Sequence, residues 1–181
     1  MEVKIDEVRE QVLDAEPLDA RVIANFVLDF ADQRGRSVTS LSLQKLLYFC
    51  HVWTLLELRR PLIKHEFEAW EFGPVLQYVY REFKHAGDQP ITTRAKRFVP
   101  RTGEMAEVTG RLSAEVEDHL KKVLEFYTQL SSSQLVNLSH VPGGPWHRVW
   151  NHVGTTNPGM RIKNNSILEF YARGFPELGR H

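Results

Sequence analysis

A thiol and an imidazole stand side by side at Cys50-His51, the two groups a cysteine hydrolase needs for its nucleophile and for the base that takes the nucleophile's proton. Both lie in the apolar run from Leu41 to Trp53, which reads as helix. Adjacent helical residues point about 100° apart, so these side chains do not face each other and a second histidine would have to be delivered by the fold. The reading preferred for Cys50 is a small buried side chain. His140, His147 and His152 are close enough in sequence to suggest a metal site, yet no HExxH helix, CxxC pair or acidic ligand accompanies them. His140, near Pro145-Trp146, reads instead as a cap or a hydrogen-bonding group that fixes the Gly143-Gly144-Pro145 loop. No glycine-rich phosphate loop is present, and the expectation is a protein with no catalytic, cofactor-binding or metal-binding residues.

The remaining charged candidates point to contacts. Lys45 sits in the same apolar helix, where its stem is expected to lie along apolar neighbours with the ammonium at the rim; the alternative is a pair with Glu68 or Glu71. Gln44, Lys45 and His51 must all reach partners or a surface. Arg94, Lys96, Arg97 and Arg101 could meet phosphates or an acidic protein. Lys+Arg and Asp+Glu are both 23, so the chain has no net charge and a dedicated nucleic-acid reader is disfavoured. A solvated loop is the preferred reading there, then protein contact.

With 181 residues, 42% hydrophobic and 25% charged, the chain can bury a substantial single core. The lone Cys50 excludes an intramolecular disulfide and suits a reducing cytosol. The N-terminal stretch is acidic and lacks the apolar segment of a signal peptide, and no run approaches the ~18 apolar residues of a membrane span. No membrane partner is expected.

The elements that must position these groups are mostly helices. Residues 1–17 read as an acidic extension able to form a short amphipathic helix, and residues 18–181 as the domain proper. Asp19 caps a helix that buries Val22, Ile23, Phe26, Val27 and Phe30 and stops at Gly35. The helix Leu41 to Leu58 is apolar nearly all round, which predicts a central helix with neighbours on most sides. Ile63 to Phe72 reads as a strand in a small antiparallel element completed by parts of Ile91–Val99 and Met105–Val108. A helix is expected over Pro74–His85, a long one after Ser113, a shorter one capped within Ser131–Ser133, and a brief one with Trp146 and Trp150. Ser166 to Glu169 matches a capping box opening a last helix that ends at Gly174. The fold class is α+β and helix-dominated: a compact multi-helix domain with a small antiparallel β element.

The stretch Ala69-Trp70-Glu71-Phe72-Gly73-Pro74-Val75 reads as strand, sharp turn and helix start, with Trp70 and Phe72 held just before the turn. Trp70, Phe72, Tyr78, Tyr80 and Trp146 are the aromatics to divide between core and binding surface. Leu43, Gln44, Lys45, Leu46, Leu47 and Tyr48, then Ala69, Trp70, Phe72, Gly73, Pro74 and Val75, then Leu138, Ser139, His140 and Trp146 together resemble the Panacea-domain family, the SocA-like antitoxins of bacterial toxin-antitoxin pairs. The resemblance covers roughly residues 19 to 173. It implies a cytoplasmic protein that binds and neutralises a cognate toxin encoded by a neighbouring gene. Its SocA-like branch implies an adaptor that tethers the toxin to the ClpXP protease. On this reading Gln44, Lys45, Tyr48, Trp70, Phe72, Gly73, Pro74, Tyr78, His140 and Trp146 are the family-motif or partner-binding residues. The competing readings are a small hydrolase using Cys50 or a histidine, and a transcriptional regulator using the Arg94 to Arg101 loop.

Overall fold

The computed structural model describes residues 17–154 and 157–174. The helix expected in the acidic extension therefore lies almost wholly outside the described residues. Helix α1 (Ala20–Gln33) starts at Asp19, whose side chain accepts from the Arg21 amide, and buries one face including Ile23, Val27 and Phe30. Helix α2 (Ser40–Glu57) starts at Thr39, which accepts from the Ser42 amide, and 14 of its 18 residues are buried. Helices α3 (Gln77–Phe83), α4 (Ala114–Tyr127), α5 (Ser132–Ser139), α6 (Pro145–Trp150) and α7 (Asn164–Tyr171) follow. All but α6 pack on α2, as do α1 and strand β2 (Gly73–Val75). The wrap is aromatic in places: Phe49 stacks on Tyr127 with centroids 4.5 Å apart, and the Trp53 indole donates to the Tyr127 hydroxyl at 3.0 Å.

The strands form two sheets, not one. Strand β1 (Phe67–Trp70) lies between β2 and β5 (Arg161–Ile162), antiparallel to both, with Ala69 opposite Pro74 and Phe67 opposite Ile162. Strands β3 (Lys96–Val99) and β4 (Glu104–Glu107) form a separate antiparallel ribbon. The expected single element therefore divides. Strand β1 alternates buried Phe67 and Ala69 with half-buried neighbours, which suits a sheet packed on a core, whereas β4 is exposed throughout and β3 nearly so.

Two expected helix starts also move. Gly73-Pro74 belongs to β2, and α3 begins only at Gln77. Proline is tolerated because β2 is a sheet edge and the Ala69 amide across from it donates to Met160 O instead, at 2.7 Å. Helix α7 begins at Asn164 without a side-chain cap, so Ser166 lies inside it. Asn164 Oδ1 sits 2.9 Å from His51 Nε2 on α2, and this docking overrides the local capping signal. The capping box occurs at α5, between Ser131 and Gln134.

Asn25 on α1 roots the ribbon. Its buried amide donates to Ala95 O (3.1 Å) and Val108 O (3.0 Å), and its oxygen accepts from the Ala95 amide at 2.8 Å. Asn25→Ala is expected to lower unfolding free energy by about 2–3 kcal/mol, because buried backbone groups lose their partners. Urea denaturation with amide exchange at Ala95 checks this; an unchanged midpoint with fast exchange confined to Ala95 would make the root a local clamp only.

Candidate functional site

The three motif blocks meet at one corner, and a buried amine stands at its centre. Lys45 is 0% exposed, and its Nζ donates to the Pro74 carbonyl at 2.9 Å. Burial lowers the Lys45 pKa to about 7, so the amine titrates near neutrality. The ammonium therefore does not lie at the rim, and neither expected carboxylate pairs with it. Glu68 accepts from the Trp70 indole at 2.9 Å and Glu71 is exposed. The reason is geometric: the stem runs between β2 and the end of α5, where the amine meets a carbonyl of the edge strand.

That path requires Gly73. Its φ is +103°, and a Cβ there would lie 2.6 Å from both Lys45 Cε and Ser139 Oγ. Ser139 is itself pinned, its hydroxyl donating to Val136 O at 2.8 Å. Gln44, one residue before Lys45, accepts from the Leu76 amide at 2.8 Å while its own amide lies 3.5 Å from Leu76 O. Two successive side chains of the buried helix thus answer the backbone of β2 and the residue that opens α3.

The far wall is aromatic. The Trp146 indole donates to Trp70 O at 2.7 Å, and His140 lies flat on Trp146 with centroids 3.6 Å apart and planes 2° from parallel. Burial, with a contribution from Lys45, lowers the His140 pKa and favours the neutral ring. His140 sits at the C-cap of α5, one of the two roles expected of it, and holds Trp146 against β1 by stacking, while the hydrogen bond to the loop is not its own. That bond comes from His147, whose Nδ1 accepts from the Gly143 amide at 3.2 Å.

The groups proposed for hydrolytic chemistry have structural duties. Cys50 is 0% exposed, and burial raises its thiol pKa, which opposes thiolate formation. His51 accepts from the Ile63 amide at 3.2 Å and uses its other nitrogen on Asn164, with burial lowering its pKa to about 4. Tyr48 is buried in the core, edge-on to Phe67 at 5.3 Å. Arg94 is spent on ion pairs with Asp29 and Asp32, while Lys96, Arg97 and Arg101 lie on the exposed ribbon.

Outside the corner opens a groove of about 430 Å³, lined by Leu41, Trp70, Phe72, Val75, Tyr80 and Lys84 among others. Phe72 is 59% exposed and Tyr80 37%, with Trp70 edge-on to Tyr80 at 5.1 Å. Tyr78 is not part of this groove: its ring stacks on His65 at 5.0 Å and lies 4.7 Å beneath the Arg21 guanidinium. Residues two apart on a helix face opposite sides, which separates Tyr78 from Tyr80. Trp70, Phe72 and Tyr80 were among the aromatics the sequence singled out, whereas no sequence signal pointed to Lys84 as a groove residue.

The family profile described as "Antitoxin SocA-like, Panacea domain" matches residues 43–147, which span all three blocks of the corner. The chain belongs to this family. It is also 39% identical over 157 residues to the protein named "Antitoxin SocA" of Caulobacter vibrioides (strain NA1000 / CB15N), covering 86% of this chain and 84% of that protein. No solved structure matches the chain. In this Panacea-domain protein the motif residues thus build a rigid corner beneath an aromatic groove.

Lys45 gives the corner a pH signature. Its folded pKa of about 7 lies below the ordinary 10.5, so between those values the unfolded chain holds a proton the folded chain releases, and stability rises with pH. From pH 7 to 8.5, below the range where buried tyrosines oppose it, wild type should gain about 1.5 kcal/mol relative to Lys45→Met. Parallel denaturation profiles for the two proteins would show that the amine stays charged in the fold.

Proposed function

We propose that this chain binds a cognate protein toxin directly in the cytosol and neutralises it, with the Trp70, Phe72 and Tyr80 groove as its contact surface. The observation that carries the reading is the exposure of large aromatics on a backbone that Lys45, Gly73 and Trp146 hold rigid. Rigid Trp and Tyr side chains supply most of the energy at protein interfaces because little conformational entropy is lost when they bind. The name of the 39% identical relative supports the antitoxin role. The resemblance to the SocA-like branch supports a further step, in which the bound toxin is handed to ClpXP. Tethering of that kind raises effective concentration without new chemistry. The reading is non-enzymatic, in keeping with the buried Cys50 and the structural duties of His51. Among the described residues no helix is long and apolar enough to cross a membrane.

The toxin is expected to be encoded beside this gene, and co-purification of the two products is the first check. Phe72→Ala with Tyr80→Ala should weaken toxin binding by about a hundredfold, as two hot-spot truncations of ~1–2 kcal/mol each would, while leaving the thermal transition near wild type. Tyr78→Ala, on the other side of α3, is the comparison variant, and greater loss there would move the surface to that face.

Toxin half-life in cells with and without this protein, each with and without active ClpXP, separates the two mechanisms. Shortening that needs both proteins is expected for an adaptor. A toxin equally long-lived in all four cases yet harmless beside this protein would leave direct inhibition.

A further inference from the structure

The β3–β4 ribbon meets the body at its root, which occupies the β3 edge at Lys96 but, among the described residues, not at Phe98, and leaves the β4 edge open along its length. Val108 N–H donates to Ala95 O at 2.8 Å, and Asn25 stands in for the reciprocal bond. Antiparallel pairing alternates, so the backbone groups that point away from the ribbon belong to Lys96 and Phe98 on β3 and to Met105 and Glu107 on β4. On β3 the Lys96 amide donates to Glu82 Oε1 (3.0 Å) and its carbonyl accepts from Arg21 Nη1 (3.4 Å). On β4, among the described residues, no donor or acceptor meets the amide or carbonyl of Met105 or Glu107. Phe98 and Met105 are directly opposed, so they share a face, and they are 59% and 58% exposed. An open edge beside an apolar pair is the feature soluble proteins ordinarily blunt.

Charge selects what fits. Strand β3 carries Lys96 and Arg97, and β4 begins and ends with Glu104 and Glu107. A two-fold pairing of β4 with a second copy would crowd four glutamates onto adjoining strands, which is unfavourable. A groove of about 330 Å³ at the root, with Val22, Phe26 and Leu112 in its lining and Glu107 and Glu117 among its residues, continues the acidic edge over apolar ground.

We propose that β4 accepts an extended, basic segment of a partner protein as a third, antiparallel strand. The register sets the pattern of that segment: a basic residue opposite Glu107, any residue opposite Ala106, an apolar one opposite Met105 that extends the Phe98–Met105 row, and a basic one opposite Glu104. Backbone hydrogen bonds supply affinity and the alternating side chains supply selectivity. This site shares no residue with the aromatic groove, so it stands whether or not the groove binds a toxin.

The test is a nuclear magnetic resonance titration of the isotope-labelled full chain with acetyl-TKTVKT-amide, and separately with acetyl-TETVET-amide, into the millimolar range. The lysine peptide should give saturable shifts and slowed exchange at the Met105 and Glu107 amides, with about tenfold preference over the glutamate peptide. The double variant Glu104→Lys, Glu107→Lys should invert the preference, with an unshifted Ala95 amide showing that the ribbon root is intact. No saturable response at those two amides, or an equal response to both peptides, overturns the proposal. Protection of the same amides without peptide, in a protein that dimerises with concentration, overturns it in favour of a second copy.

Discussion

One hydrogen bond, from the Lys45 amine to the Pro74 carbonyl, governs the geometry of the corner. An edge strand turned toward a helix carries a carbonyl that water does not reach, and leaving such a group unmet costs about 1–3 kcal/mol. Lysine meets it at the expense of a lowered pKa, and that expense is bearable because an amine, unlike a guanidinium, can shed its charge. The side chain needs a passage, and this demands glycine at position 73. The left-handed turn at Gly73 then directs Glu71 and Phe72 outward, so the exposed aromatic and the buried amine are consequences of the same constraint.

The central helix shows how an almost uniformly apolar cylinder acquires a defined rotation. Hydrophobic contact alone tolerates many rotations of such a helix, since most of its faces are equally greasy. Its polar side chains remove that freedom one direction at a time. Gln44 addresses Leu76, Lys45 addresses Pro74, and His51 addresses both Ile63 and Asn164. The bonds tie α2 to three parts of the chain, the β2–α3 junction, the segment at Ile63 and the start of α7, and each would be lost if the helix turned by one position.

How much of this was legible in the sequence depended on the range of the interaction. Helices α1, α4 and α5 were readable because caps and period are local: Asp19, Ser113 and Ser131 accept from amides two or three residues on. The all-round burial of α2 followed from composition in the same way. The pairing of β1 with Arg161-Ile162 was not readable, because a two-residue strand has no periodicity and its partner lies more than 90 residues away. The capping signal at Ser166 was locally sound but lost to the Asn164–His51 contact. Lys45 was misplaced for a related reason, since its acceptor is a main-chain carbonyl and no residue type announces one. The motif blocks meet at one corner, which no local pattern announced, and Tyr78, close by in sequence, lies on another face.

The wrapping of α2 also sets a timetable for synthesis. The elements that cover it run from α1 to α7, so residues 40–57 leave the ribosome long before Asn164–Tyr171, which closes one of their faces. At about 5–20 residues per second, a growing chain carries an incompletely covered apolar helix for on the order of 6–25 s. During that interval it resembles a client of the chaperone machinery more than a finished binder.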